Sequence, residues 1–282
     1  LLTLGHGYCA AALSTLLLSE DWRVIGATRS ADKAARIDAQ GVEPVLWSAD
    51  ALRAALGRAT HVLATAAPVD GDDPVLALLG PEIAERAADL HWVGYLSTTS
   101  VYGDAAGDWV DESTPLAPTG QRGRARVTAE AAWGAIADLP LHVFRLPGIY
   151  GPGRSPFERL RAGTAQRIVK QGQVFSRIHV DDVAQVLAAS IARPDPGAVY
   201  NVCDDAPAPP QDVIAHAARL LDLPVPPDIP FEDADMSPMA RNFYADNKRV
   251  SNARIRDELG VDLIHPDYRA GLAAIRAAET AE

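Results

Sequence analysis

Short apolar runs alternate with segments of helical periodicity along the first half of the chain. The runs that predict buried strands are Leu1 to Leu4, Arg23 to Ala27, Pro44 to Trp47, His61 to Thr65, Trp92 to Thr98 and Leu141 to Leu146. The segments that predict helices are Ala11 to Leu18, Asp32 to Gln40, Asp50 to Leu56, Pro81 to Leu90 and Arg124 to Ala137. This regular alternation indicates an α/β protein with a Rossmann-like, doubly wound parallel sheet covered by helices on both faces.

The first strand runs directly into a glycine turn that opens the first helix. Gly5 lets the chain turn tightly off the strand, and Gly7 lets the backbone approach a pyrophosphate. Ala10, in the place of a third glycine, still lets the helix pack close to the sheet. The helix N-terminus, which begins around Tyr8 and Cys9, offers free N–H groups to phosphates. The turn therefore predicts a dinucleotide bound across the carboxyl ends of the strands.

The periodicity loosens beyond Gly151 into loops rich in glycine and proline. Strands are predicted at Val174 to Ser176, Ile178 to Val180 and Val199 to Val202, and helices at Asp182 to Ala192, Pro210 to Leu221, Asn252 to Leu259 and Tyr268 to Ala281. We expect an NAD(P)-binding domain over residues 1–150 and a small C-terminal substrate lobe over 151–282, with some segments returning to the first domain. The acidic, proline-rich stretch Pro224 to Met239 is predicted to be a lid or a linker.

The end of the second strand bears on the choice of cofactor. An acidic residue there would bind the adenosine ribose, but this chain has Arg29 and Ser30. Arg29 can hold a 2′-phosphate and Ser30 can add a hydrogen bond, so NADP is expected, with NAD as the second option. The alternative is that Arg29 is only solvent-exposed and Ser30 caps the helix that starts near Asp32. Asp50 is placed to meet the adenine amine, and the segment Ala64 to Pro68, with Ala66 at its centre, is expected to pass under the adenosine as an apolar floor.

Composition narrows the class of protein. The 282 residues are 48% hydrophobic, which is ample for a core, and no stretch approaches the ~20 apolar residues of a membrane span. We expect a folded cytoplasmic protein, because the chain begins inside a strand without a basic leader. Cys9 and Cys203 are too few for a disulfide framework and lack metal-type spacing. Cys9 is predicted to be a small buried residue rather than a thiol nucleophile.

Charge is unevenly distributed along the chain. The net charge is −11, yet residues 122–177 hold ten basic and three acidic side chains, a local balance of +7. An acidic protein is not expected to bind nucleic acid nonspecifically. The basic segment is predicted either to steer a small anion to one cleft or to form a solvated helix face, and the sequence leaves both open.

Five further segments carry motifs in a fixed order. They are Leu96 to Asp104 (LSTTSVYGD), Asp111 to Thr119 (DESTPLAPT), Phe144 to Gly153 (FRLPGIYGPG), Arg177 to Ala184 (RIHVDDVA) and Tyr200 to Val202 (YNV). Together they resemble the extended short-chain dehydrogenase/reductases, the NAD-dependent epimerase/dehydratase family. The resemblance covers nearly the whole chain and is specific in combination.

The resemblance implies roles for several residues. Thr98 matches the residue that hydrogen-bonds the substrate oxygen, and Pro147, Gly148 and Ile149 match the loop that holds the nicotinamide carboxamide through its backbone. The run from His179 to Asp182 is interpreted, as in the family, as a strand followed by an Asp-capped helix, and no metal is predicted.

The chain departs from the family where a Tyr-x-x-x-Lys pair is expected on a helix. The register is set by Pro115, Thr119, Gly123, Ala129 and Glu130. The tyrosine position holds Arg122 and the lysine position holds Arg126. A guanidinium cannot release its proton near neutrality, so the family's acid/base is missing. Arg126 can still reach the nicotinamide ribose as the lysine would.

Three interpretations follow from the missing pair. Tyr102, Tyr150 or a water held by Thr98 can supply the proton, or Arg122 and Arg126 can bind an anionic substrate whose reaction needs only electrostatic help. In the third, the chain is a catalytically inactive, NADP(H)-binding regulatory or interaction protein. The arginine-rich surroundings favour a divergent oxidoreductase or isomerase that acts on a small anionic or sugar-nucleotide-like molecule.

The resemblance also suggests a homodimer. Relatives often pair through helices at the positions of Pro81 to Leu90 and Arg124 to Ala137. Trp133, on the second of these, fits an interface anchor and a core residue equally well.

Overall fold

The computed structural model describes residues 1–281, with the side chains at positions 238, 239, 242 and 281 excepted. Over this range the strands are β1 Leu2–Leu4, β2 Ile25–Thr28, β3 Glu43–Leu46, β4 His61–Ala64, β5 Trp92–Thr98, β6 Trp109–Val110, β7 Leu141–Leu146, β8 Gly148–Tyr150, β9 Arg167–Val169, β10 Arg177–His179, β11 Val199–Asn201, β12 Asp228–Pro230 and β13 Arg249–Val250. The α-helices are α1 Tyr8–Leu18, α2 Ala31–Asp38, α3 Ala49–Arg58, α4 Pro74–Glu85, α5 Gln121–Gly134, α6 Pro156–Arg161, α7 Val180–Ala192, α8 Pro210–Leu220, α9 Pro238–Phe243, α10 Ala253–Asp257 and α11 Tyr268–Ala281. Two 3₁₀ helices cover Ala87–Asp89 and Thr99–Tyr102. None of the helices in residues 1–281 combines the length and the apolar character that a membrane crossing needs.

Seven strands form one parallel sheet in the order β3-β2-β1-β4-β5-β7-β11. The chain starts at β1, builds outward to β3, and returns to β4 on the other side of β1, so the strand order reverses between β1 and β4. In such sheets a ligand binds in the crevice at the carboxyl ends of the strands where the order reverses. The predicted Rossmann-like α/β fold is confirmed.

Two apolar clusters bury the sheet on both faces. On one face Leu13 of α1, Ile37 of α2 and Leu187 of α7 pack together, and on the other Leu56 of α3 and Leu79 of α4 do so. Burial on both sides explains why the central strands read as nearly continuous apolar runs rather than as alternating ones.

Trp133 belongs to the second of these clusters. Its ring is fully buried, and its indole N–H donates to the Asp73 carboxylate at 3.1 Å. Asp73 also caps α4, because the same carboxylate accepts the N–H groups of Val75 and Leu76. The structure therefore places Trp133 in the core.

The chain beyond residue 150 is divided between two environments. Strand β11 extends the main sheet and α7 packs on α1, whereas Phe157 of α6, Val213 of α8 and Leu272 of α11 share a separate apolar cluster. The boundaries at 1–150 and 151–282 stay a prediction, but segments of the second half do lie on the sheet.

Several element boundaries differ from those predicted. The helix predicted at Pro81 to Leu90 is the second half of α4, which begins at Pro74 because Asp73 caps it, followed by a 3₁₀ turn. Val174 to Ser176 forms no strand but only a single bridge through Phe175. Part of Pro224 to Met239 is ordered as β12, which pairs with β9.

Candidate dinucleotide and substrate site

The glycine turn lies where the sheet order reverses. Gly5 adopts a φ of +101°, which only glycine takes without strain, and a Cβ there would lie 2.7 Å from the Thr65 hydroxyl oxygen. That hydroxyl donates to the Gly5 carbonyl and ties the turn to the end of β4. A Cβ at Gly7, in contrast, would meet nothing closer than the Gly5 oxygen at 3.9 Å. The space in front of Gly7 is open, so the turn fits a pyrophosphate.

The first turn of α1 supplies the other groups predicted around the phosphates. Gly7 is the N-cap, and within the described chain no side chain caps the helix. Cys9 and Ala10 are buried against the sheet, and burial raises the pKa of the Cys9 thiol to about 11. The thiol is therefore protonated at neutral pH, as expected for a packing residue.

Tyr8 links the glycine turn to the loop after β8. Its hydroxyl donates to the Pro152 carbonyl at 2.9 Å, and the Arg154 guanidinium lies 5.8 Å from the centre of its ring. Burial, followed by the charge of Asp181, raises the pKa of Tyr8 to about 12. The phenol stays neutral and joins two loops that the sequence separates by about 140 residues.

The residues at the end of β2 agree with parts of both interpretations, since Ser30 caps α2 and Arg29 is exposed. The Ser30 hydroxyl accepts the Lys33 N–H at 3.3 Å, so Ser30 is the N-cap of α2, which begins one residue earlier than Asp32. Arg29 is exposed, and its guanidinium has no hydrogen-bond or ion-pair partner among the residues that the structure describes. It is available to an anion beside the crevice.

Asp50 and Ala66, both predicted near the adenosine, differ in their surroundings. Asp50 lies in the first turn of α3 with a fully exposed carboxylate, 3.3 Å from Arg53. Ala66 is half-buried, and its N–H donates to the Leu4 carbonyl at 3.2 Å, directly beside the glycine turn. Ala66 thus borders the crevice, whereas Asp50 faces solvent.

Thr98 ends β5 on the far side of the crevice from β2. It is half-buried; its hydroxyl accepts the Ser100 N–H at 3.3 Å and lies 3.2 Å from the Ser100 hydroxyl oxygen. These local bonds hold the hydroxyl at the carboxyl end of the strand, where the predicted substrate oxygen would lie.

Helix α5 begins directly against this strand end. Gly123 packs so closely that a Cβ there would lie 2.7 Å from the Ser100 carbonyl oxygen. Arg122 precedes it in the first helical turn and is exposed. The helical turn that carries Arg122 therefore packs beside the residues that follow Thr98.

Arg126, one turn further along α5, points at β5. Its guanidinium donates to the Tyr95 hydroxyl at 2.9 Å and to the Leu96 carbonyl at 2.6 Å. It also lies 5.4 Å from the centre of the Tyr95 ring. Arg126 thus fastens the helix to the strand two residues before Thr98.

Tyr102 is part of a buried polar network rather than of the crevice surface. Its hydroxyl donates to Asn201 at 2.7 Å and accepts from Arg145 at 2.9 Å, and burial raises its pKa. Arg145 in turn forms a 2.7 Å ion pair with Glu130 of α5. Both hydroxyl functions are used, so Tyr102 ties the 3₁₀ turn after β5 to β7 and β11.

Tyr150 is similarly enclosed. Its hydroxyl donates to the Asp267 carbonyl at 3.3 Å, and burial, followed by Asp204, raises its pKa further above the ordinary tyrosine value. Both tyrosines that the sequence analysis named as proton sources thus have their hydroxyls engaged in hydrogen bonds within the protein.

The loop Pro147 to Ile149 follows β7 at the same edge of the sheet. Strand β8 starts at Gly148 and pairs in parallel with β10, and a Cβ at Gly148 would come no closer than 3.8 Å to the Ser176 carbonyl. Gly148 is exposed, while Pro147 and Ile149 are half-buried. The loop backbone is therefore accessible at the crevice.

The basic segment does not form one surface. Its members have separate partners: Arg145 with Glu130, Arg161 with Glu279, Arg167 with Asp228, Arg124 with the Thr119 carbonyl, and Arg177 with the carbonyls of Phe175 and Ala208. Most of the local charge is therefore used to hold elements together. Arg122 and Arg154 are the exposed members nearest to the predicted crevice residues.

The run His179 to Asp182 begins α7, but a histidine caps it. The His179 ring accepts the Asp181 N–H at 3.2 Å, whereas the buried Asp182 carboxylate accepts the N–H groups of Ile264 and His265. The predicted aspartate cap is wrong, because Asp182 is drawn to a distant loop. Burial, followed by His265, lowers the pKa of His179 to about 4.

Comparison with known proteins identifies the class. The chain matches the NAD dependent epimerase/dehydratase family over residues 1–203, and it belongs to that family. The resemblance that its motifs suggested is therefore confirmed.

Two relatives can be compared over nearly the whole of this chain, and a third over about half of it. A structure of a functionally unknown conserved protein from Silicibacter pomeroyi is 60% identical, with a TM-score of 0.93 and 98% of each chain covered. Protein YeeZ from Escherichia coli is 27% identical over 93% of this chain and 95% of its own. A 3-diazoavenalumate denitrifying reductase from Streptomyces is 32% identical over 49% of this chain and 48% of its own. Solved structures at 16–20% identity share the fold, and their complexes contain NAD and, in some, sugar nucleotides.

Sequence reasoning missed several residues of this site. Thr65 and Glu130 hold the glycine turn and the end of β5, and Asn201 holds the network behind them, through contacts that join distant parts of the chain. All three lie in segments that the sequence analysis singled out: Thr65 ends a predicted strand, Glu130 marks the motif register, and Asn201 belongs to the Tyr200 to Val202 motif. Their partners were not predicted, because these are set by the order of the strands in the sheet.

Proposed function

We propose that this member of the family is an NADP(H)-dependent oxidoreductase that acts on a small anionic substrate without a tyrosine acid. The observation that carries the proposal is the placement of Arg122 in the first turn of α5, packed through Gly123 against the segment that follows Thr98. A permanent positive charge stands there in place of the phenol.

The cofactor preference is argued from the end of β2. Arg29 is exposed and without a partner in the described chain, and the strand end itself carries no acid to bind a ribose diol, since the first acid, Asp32, lies within α2. A guanidinium binds a 2′-phosphate through charge-assisted hydrogen bonds, so NADP(H) is favoured within a family named for NAD. Ser30 shapes this end of the site by capping α2.

The residues of the other end have separate tasks in this proposal. NADP(H), when bound, supplies or takes the hydride. Thr98 donates to the substrate oxygen or holds a water beside it, and Arg122 attracts the anionic group and stabilises negative charge at the reacting centre. Arg126 holds α5 against β5 and so sets the position of Arg122. The loop from Pro147 to Ile149 offers its backbone to the carboxamide.

The name of the Streptomyces relative supports reduction. It describes a reductase of 3-diazoavenalumate, and the ending of that name denotes an anion. A reduction that adds hydride to a strongly electrophilic group has little need of a general acid, which agrees with the loss of the tyrosine.

A second candidate is an NADP(H)-binding protein that performs no chemistry. The contacts of Arg126 with Tyr95 and Leu96 favour it, because they occupy the side chain that replaces the ribose-binding lysine. Such a protein would bind the cofactor and change its interactions rather than turn over a substrate.

One experiment separates the two candidates. NADPH binding is first measured by fluorescence, and oxidation of bound NADPH is then followed with small anionic carbonyl compounds and with sugar nucleotides. Turnover that Arg122→Gln abolishes and Arg124→Gln leaves intact supports the oxidoreductase. Arg124 is the matched control, because it lies on the same helix and donates to the Thr119 carbonyl. Tight NADPH binding with no turnover supports the second candidate.

A further inference from the structure

The fold brings three metal-ligating side chains together at the start of α7, close enough to Tyr8 that the Asp181 charge acts on its phenol. His179 precedes α7, Asp181 lies in its first turn, and His265 lies in the loop before α11. One ligand atom from each lies within 4.8 Å of the other two. The sequence analysis predicted no metal, because it interpreted the run from His179 to Asp182 as a strand followed by a capped helix. His265 lies more than 80 residues further along the chain.

The distances agree with a small divalent ion. The Asp181 carboxylate oxygen lies 3.5 Å from Nδ1 of His179 and 3.7 Å from Nε2 of His265. In a tetrahedral site with bonds of about 2.0–2.1 Å, neighbouring ligand atoms are about 3.3–3.4 Å apart. The two distances to Asp181 exceed this value by only a few tenths of an ångström, and the two imidazole nitrogens lie within 4.8 Å of each other.

The ligands are also held in place before any ion binds. The His179 and His265 rings are both buried, with centres 4.0 Å apart. Asp182 fixes the loop of His265 by accepting two of its backbone N–H groups. The Asp181 side chain is 54% exposed, so ion and water can enter from that side.

Two features of the cluster disfavour the binding of a cation, and the effect of each is small. The positive end of the α7 dipole lies here, but Asp181 and Asp182 in the first turn offset it. Nδ1 of His179 already accepts the Asp181 N–H, and at 3.2 Å this bond is long and easily given up.

We propose that His179, Asp181 and His265 form a binding site for a divalent first-row transition metal ion, with Zn²⁺ as the ion of choice. Two imidazoles and one carboxylate are a donor set typical of Zn²⁺, and the fourth position is left for water. The site joins the N-terminus of α7 on the main sheet to the loop before α11 in the C-terminal cluster. It does not depend on the proposed oxidoreductase activity.

Zinc titration of the chelator-treated full chain tests the proposal. We expect one equivalent of Zn²⁺ to bind, and Asp181→Asn and His265→Ala each to weaken binding at least as much as the roughly 10- to 100-fold that losing a supporting partner costs. Asp89→Asn and His91→Ala are matched controls, since both side chains are exposed and distant in sequence from the site. Asp181→Asn keeps the shape of an exposed residue, so its folding is secure.

Thermal unfolding gives a second readout. Zn²⁺ at about 100 times its Kd should raise the Tm of the parent and of both controls by about 5 °C, because the site exists only in the folded chain. The two site variants should show no such rise. Absence of stoichiometric Zn²⁺ binding in the parent, or binding and Tm shifts that survive both site substitutions, would overturn the proposal.

Discussion

The crevice at the carboxyl ends of the strands has two ends, which are built by different means. The first is the glycine turn with the end of β2, and the second is the start of α5 beside β5. At the glycine turn the chain offers bare backbone, with open space before Gly7 and an unpartnered guanidinium at Arg29 in the described part of the chain. At the first turns of α5 the chain uses side chains that are tied to the sheet, as Arg126 is to Leu96 and Glu130 is to Arg145. The first end has the open backbone that the predicted dinucleotide needs, and at the second end Arg122 and Arg126 lie on the helix where a tyrosine and a lysine were expected. Because the two ends are built from different elements, we expect residues at one end to be replaceable without disturbing the other.

The strongest test of the first end is Gly7→Val. The φ of Gly7 is −98° and a Cβ has room, so the protein should fold, while the branched side chain fills the space that a pyrophosphate needs. We expect NADPH binding, measured by calorimetry, to be lost.

Gly57→Val is the matched control, because Gly57 is an exposed position of α3 with nothing within 4 Å of its Cβ. It should bind NADPH normally. Normal affinity in a folded Gly7→Val protein would remove the turn from the site.

The Glu130→Gln substitution tests the buried ion pair with Arg145 that holds α5 at the second end of the crevice. The Glu130 and Arg145 side chains are only 9% and 6% exposed, so removing the carboxylate leaves a buried guanidinium without its counter-charge. We expect a loss of about 3 kcal/mol in the free energy of unfolding, measured with denaturant.

An exposed ion pair gives a reference for this loss in the free energy of unfolding. Arg161 and Glu279 are 44% and 29% exposed, and Glu279→Gln should cost less than about 1 kcal/mol. Equal losses in the two variants would show that the network beneath α5 is not a special support.

The Arg29→Asp substitution tests the proposed preference for NADPH over NADH at the first end of the crevice. Losing a charge-assisted contact costs about 1.5–3 kcal/mol, or roughly tenfold to a hundredfold in affinity for NADPH. The parent should bind NADPH more tightly than NADH, and the variant should reverse the order in a fluorescence titration. Equal affinities in the parent, unchanged by the substitution, contradict the proposed 2′-phosphate contact.

The smallest effect is expected when the family's pair is rebuilt. Arg122→Tyr combined with Arg126→Lys restores a phenol beside a lysine, and weak oxidation of secondary alcohols with NADP should appear, with a pH profile that reports a base. Arg124→Lys is the control, because it replaces an arginine on the same helix and keeps its positive charge. A parent that already oxidises such alcohols at about 1–10³ per second would show that the second end retains the family's chemistry.

Local sequence was sufficient wherever the deciding contacts are near in the chain. The β1 turn and α1 need only Gly5, Gly7 and the apolar residues around them, because a strand, a tight turn and a helix are short-range structures. The predicted departure at Arg122 and Arg126 rests on the same kind of local information, since its helical register follows from neighbouring motif residues. Even Ser30 as a cap was among the alternatives that the sequence left open.

Only the tertiary structure decided the partners of side chains whose contacts cross the chain. The buried place of Trp133 depends on Asp73, and the role of Tyr102 depends on Asn201, about 100 residues away. Charge counted along the chain left open whether the basic segment surrounds one cleft or forms a solvated helix face, whereas in the folded chain most of its members pair with separate acids and carbonyls. His265 reaches His179 only because Asp182 binds its loop. Sequence spacing carries no information on such pairs, since they are set by which strands and helices pack side by side.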